Sequence, residues 1–141
     1  MTFDPGGTTG WVRSFPAATT PVVTGQTKLT PYELFKVIER EQPNKIIYET
    51  FKIRQNRLGV DLTPVELIGV ILLCGDMFDI ELIGQGADVG LPFWTNDKLR
   101  HIGLYVPGQQ HGMDALRHYL TRLVVEGDKS WVYKLKGMSS V

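Results

Sequence analysis

The sequence predicts an α/β fold: a mixed sheet of about five strands with helices on its faces. Three short strand-like segments open the chain in close succession, the pattern of an antiparallel meander. Strand and helix patterns then alternate, which calls for parallel pairing through helical crossovers. The length, 141 residues, suits one domain with a real core.

Each element has its own signal. Residues 1–4, 9–15 and 22–27 read as strands, with Pro16 and Pro21 marking the turn between the second and third. Thr30-Pro31-Tyr32-Glu33 is a capping box: a threonine cap, proline at the first helical position and glutamate at the third. Leu34, Phe35, Val37 and Ile38 supply the apolar stripe of that helix, and Pro43-Asn44 ends it. Residues 45–50 read as a fourth strand, with Ile46 and Ile47 buried and Glu49 near its end. A polar, basic connection follows, carrying Lys52, Arg54, Gln55, Asn56 and Arg57.

Thr63-Pro64-Val65-Glu66 repeats the capping pattern, so Glu66 reads as a capping residue rather than a site acid. The helix it opens is apolar nearly all round, through Leu67, Ile68, Val70, Ile71, Leu72 and Leu73, with Gly69 and Gly75 permitting close approach. Such a helix is central in the core or shared with another subunit. Residues 79–83 read as the fifth strand, 84–92 as a loop, 96–102 as a short helix and 106–110 as another loop. A long helix over 111–125 presents Leu116, Tyr119, Leu120 and Leu123 on one stripe. The expected organisation is a folded domain over 1–126 and a tail over 127–141, extended or partly disordered.

Composition excludes several classes. The hydrophobic fraction of 43% and charged fraction of 21% are ordinary for a globular domain. Zero formal net charge argues against a strongly basic nucleic-acid coat but leaves room for a local basic patch. Cys74 is the single cysteine, so there is no internal disulfide and no cysteine-rich zinc signature. The longest apolar run, residues 67–74, is far short of a membrane span. No signal-peptide pattern opens the chain, and a cytoplasmic setting is expected.

The chemistry concentrates in a few places. Asp4-Pro5-Gly6-Gly7-Thr8-Thr9-Gly10-Trp11 sets a carboxylate at the end of the first strand, before a glycine-rich turn. Glycine accepts φ > 0, which lets a backbone turn tightly beside a bound group. Taken alone, the stretch is a plain Asp-Pro-Gly turn, a phosphate cradle or a metal-holding acid. Glu49 adds a second acid at a strand end. His111 and Asp114 lie one turn apart at the start of the last helix and share a face, which His118 extends as a supporting or solvent-facing residue. In α/β sheets ligands gather beyond the strand ends. Packed carboxylates repel one another, and a divalent cation relieves the repulsion. Oxygen-rich sites favour Mg²⁺ or Mn²⁺ over zinc.

These residues resemble the RuvC family of Holliday-junction resolvases. Asp4-Pro5-Gly6-Gly7-Thr8-Thr9-Gly10-Trp11, then Ile47-Tyr48-Glu49, then His111-Gly112-Met113-Asp114-Ala115 stand in the family's order with similar gaps, across most of the chain. The sequence is especially similar to the compact RuvC-like resolvases of bacteriophages. The resemblance implies the ribonuclease H-like fold, with Asp4, Glu49, His111 and Asp114 as catalytic and metal-binding residues; His111 stands where many members carry an acid. It implies Mg²⁺, with Mn²⁺ as a substitute and two ions per site, and paired cleavage of four-way DNA junctions by a homodimer. The apolar helix at 64–77 is then the candidate dimer interface, and a phage origin would place the protein in the host cytoplasm. Lys52, Arg54 and Arg57 become candidate phosphate contacts, against the plainer reading of a solvated loop. Phe51 and Trp94 are candidate base-stacking residues, against core packing.

Three other readings stay open. One is a less selective nuclease acting on flaps or other branched DNA. Another is a nucleotide phosphate-binding protein of the actin and sugar-kinase type, where Asp-x-Gly-x-Thr-x-Gly also occurs. The third is a junction-binding module without catalysis.

Overall fold

The computed structural model describes residues 1–14, 22–52 and 59–137. Five strands form one sheet: β1 (Thr2–Asp4), β2 (Thr9–Arg13), β3 (Val23–Thr27), β4 (Lys45–Glu49) and β5 (Glu81–Gln85), in the spatial order β3-β2-β1-β4-β5. The first three strands pair antiparallel, and β1–β4 and β4–β5 pair parallel. This is the mixed, helix-flanked sheet that the order of elements predicts.

Helices α1 (Pro31–Glu41) and α2 (Thr63–Phe78) cover one face. Phe3 and Ile46 reach that face from the central strands and meet Leu34, Ile38, Leu67, Ile71 and Cys74. Helix α4 (Gln110–Val125) crosses the other face, beside α3 (Asn96–His101). There Val12 packs with Trp94, Leu99, Ile102, Met113, Leu116 and Leu120. Strand side chains alternate between faces. Since Phe3 and Ile46 serve the α1/α2 layer, their neighbours Thr2, Asp4, Ile47 and Glu49 fall on the α4 side.

The capping box on α1 forms as read. Thr30 Oγ1 accepts from the Glu33 amide at 3.2 Å, and the Thr30 amide donates to Glu33 Oε2 at 2.8 Å. The similar pattern at α2 does not form. Thr63 lies inside the helix and its hydroxyl donates to Asp61 Oδ1 at 2.7 Å, so Leu62 occupies the cap position without a side-chain bond. Glu66 is exposed and caps nothing, which corrects the capping reading.

Two further boundaries move for clear reasons. Asp79 does not begin β5; it caps α2 in a left-handed conformation with φ 53°, its amide bonded to the Gly75 carbonyl. The segment expected as an extended or partly disordered tail contains helix α5 (Ser130–Leu135). Trp131, Val132 and Leu135 share a helical face and pack on the α4 layer, which is what holds it. No helix among the described residues is long and apolar enough to cross a membrane.

Candidate metal centre

Strand register builds the first half of the site. Thr2 lies opposite Ile47 and Phe3 opposite Tyr48 in the parallel β1–β4 pair, so the next step along both strands sets Asp4 beside Glu49. The Ile47 amide bonds to the Met1 carbonyl at 2.9 Å, which fixes this register. Both acids project from the same sheet face, towards α4.

The N-terminal turn of α4 supplies the second half. It can reach the sheet because Gly10, the partner of Asp4 across β1–β2, has no side chain. A Cβ on Gly10 would fall 1.8 Å from the His111 carbonyl oxygen. The glycine of the opening stretch therefore serves helix approach rather than a φ > 0 turn; neither Gly6, Gly7 nor Gly10 has positive φ. The His111 amide donates to Gln26 Oε1 at 3.1 Å, tying the helix start to β3.

Asp4, His111 and Asp114 converge, with one ligand-capable atom from each lying within 4.8 Å of the others. His111 Nδ1 is 3.4 Å from Asp4 Oδ2. Glu49 stands on the far side of Asp4 and meets His118, whose Nε2 is 3.1 Å from Glu49 Oε2. His118 is buried, so the solvent-facing option is excluded. The Asp4 carboxyl is pushed up to about 8. Burial is the main cause, followed by the negative charges of Glu49 and Asp114 and a hydrogen bond with Glu49, while His118 acts in the opposite direction.

The donor chemistry fits a hard divalent cation. Carboxylate oxygens with one imidazole suit Mg²⁺ or Mn²⁺, and such an ion would offset both the burial of Asp4 and the negative charges of Glu49 and Asp114 beside it. Asp4, His111 and Asp114 could hold one such ion, with Glu49 beside Asp4.

Sequence reasoning overlooked Arg117. It is buried, and its Nη1 lies 2.6 Å from Asp114 Oδ1. A basic residue three positions after an acid on one helix was the available signal. Among the expected DNA contacts, Lys52 is exposed just beyond β4, whereas Arg54 and Arg57 lie outside the described residues. Trp94 is buried in the α4 layer, in keeping with core packing rather than base stacking. A cleft of about 540 Å³ opens near the other end of the strands, lined in part by Met1, Lys45, Arg122 and Glu126; none of the four site residues lines it.

With this geometry in hand, solved structures provide a comparison. The fold is that of RuvC. The Thermus thermophilus RuvC structure matches with a TM-score of 0.54 at 20% identity, covering 89% of this chain and 95% of that one. Thermus thermophilus RuvC in complex with Holliday junction substrate matches with a TM-score of 0.58, also at 20% identity, covering 89% of this chain and 94% of that one. No family model and no curated protein sequence matches the chain. At this identity the RuvC likeness establishes the ribonuclease H-like architecture, and the chemistry rests on the residues themselves.

Proposed function

We propose that this protein is a metal-dependent endonuclease that resolves four-way DNA junctions, of the compact kind that the sequence resembles in bacteriophages. The observation that carries the reading is the meeting of Asp4, His111 and Asp114 beyond the end of a central strand, with Glu49 alongside. A nuclease that attacks with water needs such a cluster and no side-chain nucleophile. Asp4, Glu49, His111 and Asp114 would hold Mg²⁺ or Mn²⁺, two ions per site, which would supply an activated water and positive charge for the leaving oxygen.

The chain's own residues prepare that chemistry. Asp4 sits between Glu49 and His111, placed to serve both halves of the site. His111, exposed and next to Asp4, is a ligand or a general acid/base for the attacking water. Lys52, with Arg54 and Arg57 after it, follows Glu49 closely in sequence and would contact DNA phosphates. A two-fold dimer through α2 would present two sites to opposed strands. Leu72, Leu73 and Met77 are 47%, 53% and 55% exposed on that helix, an apolar surface suited to a second copy. We place the protein in the cytoplasm, that of a bacterial host for a phage-encoded chain.

Cleavage of a synthetic four-way junction in Mg²⁺, Mn²⁺ or EDTA tests the proposal, with flap and linear duplex DNA as comparisons. Paired nicks on the junction, abolished by EDTA, are expected. Equal rates on all three substrates would favour the less selective nuclease.

A further inference from the structure

We propose that Arg117 is a positioning residue for the metal centre: its guanidinium fixes the Asp114 carboxylate against the loop that precedes α3. This rests on the metal-dependent reading above. Arg117 is 9% exposed and makes three charge-assisted contacts. Nη1 donates to Asp114 Oδ1 at 2.6 Å, Nε donates to the Trp94 carbonyl at 2.7 Å, and Nη2 donates to Asn96 Oδ1.

The arrangement needs a fork. A guanidinium is planar and presents its donors in fixed directions, so it can join one carboxylate, a loop carbonyl and the first side chain of α3 at once. A lysine ammonium in the same place keeps the charge and loses that geometry. The loop end is itself held. Trp94 is 1% exposed, its amide bonds to the Gly90 carbonyl, and a Cβ on Gly90 would meet the Thr121 hydroxyl on α4 at 2.1 Å. Arg117 is thus braced on a rigid support and passes that rigidity to Asp114. One Asp114 oxygen is taken by the guanidinium, and the carboxylate so held is the one that converges with Asp4 and His111.

Charge and orientation predict opposite results. Loss of a nearby positive charge, by itself, strengthens cation binding; loss of orientation in a supporting contact weakens it, by roughly 10- to 100-fold in metal sites. The test is Mn²⁺ affinity measured by calorimetry on DNA-free protein, alongside junction binding in EDTA and thermal unfolding. Arg117→Met and Arg117→Lys are both expected to weaken Mn²⁺ binding by about 10-fold or more, with metal-free junction binding within about two-fold of native. Mn²⁺ affinity equal to or above native in either folded variant overturns the inference. Should neither variant fold, Asn96→Ala decides: Asn96 is exposed, and its loss should weaken Mn²⁺ binding by about two- to three-fold, an unchanged affinity counting against the proposal. A native protein that binds no Mn²⁺ and cuts no junction removes the metal-dependent reading and this inference with it. Native binding and cleavage with unaffected variants removes this inference alone.

Discussion

Gly10 faces the main chain of His111 with no room for a methyl group: an added Cβ would lie 1.8 Å from the carbonyl oxygen and 2.2 Å from the carbonyl carbon. Backbone cannot move aside as a side-chain tip can, so Gly10→Ala must push α4 off the sheet. We expect a loss of roughly 3 kcal/mol or more in urea unfolding, or failure to fold. Gly69→Ala is the control. A Cβ there meets nothing within 4 Å, and alanine in a helix gains up to about 1 kcal/mol over glycine.

Asp4→Asn should abolish cleavage while junction binding persists, because the carboxylate serves the chemistry and the amide keeps the shape. Full metal-dependent cleavage by this variant would contradict the assignment.

The same substitution should change the pH dependence of stability. In metal-free protein the folded state keeps a proton on Asp4 up to about 8, whereas the unfolded chain releases it near 3.8. Between these values the native state binds more protons, so this group's contribution to stability falls as pH rises and levels off above about 8. Asn cannot ionise and escapes the fall. Thermal melts in EDTA from pH 4 to 9 should show the variant gaining on native protein as pH rises, on the order of 5 °C at the alkaline end. A constant gap across the series would contradict it.

His118→Phe retains a planar aromatic ring, somewhat larger than imidazole, but removes the Nε2 contact with Glu49. Cleavage under single-turnover conditions should fall by about 10- to 100-fold, with junction affinity in EDTA unchanged. An equal drop in both would indicate a general packing defect.

Leu72→Glu with Leu73→Glu places two charges on half-exposed positions of α2. Light scattering should find native dimers and variant monomers, with thermal stability of the monomer little changed. A native monomer at micromolar concentration would remove the dimer from the proposed function.

The strand and helix order was readable because it rests on local chemistry: the Thr30–Glu33 box, the apolar stripe of α1, the alternation of β1 and β4. The placement of the four candidate residues was readable for a related reason, since each stands at a strand end or a helix start. The partners that particular side chains and caps take were harder, near in sequence as well as far. Thr63 resembles a cap in sequence, and only the placement of Asp61 shows where its hydroxyl goes. Asp79 resembles a strand residue, and only the left-handed end of α2 reveals its capping role. Arg117 resembles any basic residue on a helix until Trp94 and Asn96 are brought to it from another segment. The tail helix needed the α4 layer as a partner for Trp131, Val132 and Leu135.

Asp4 and His111 are 107 positions apart in the chain. A nascent polypeptide emerging from the ribosome therefore carries Asp4 and Glu49 long before α4 exists to complete the cluster. No fragment short of α4 holds the full quartet, so any cutting power that it confers arrives only once α4 has docked on the sheet. Failure of that single docking step would leave a silent protein rather than an unregulated one.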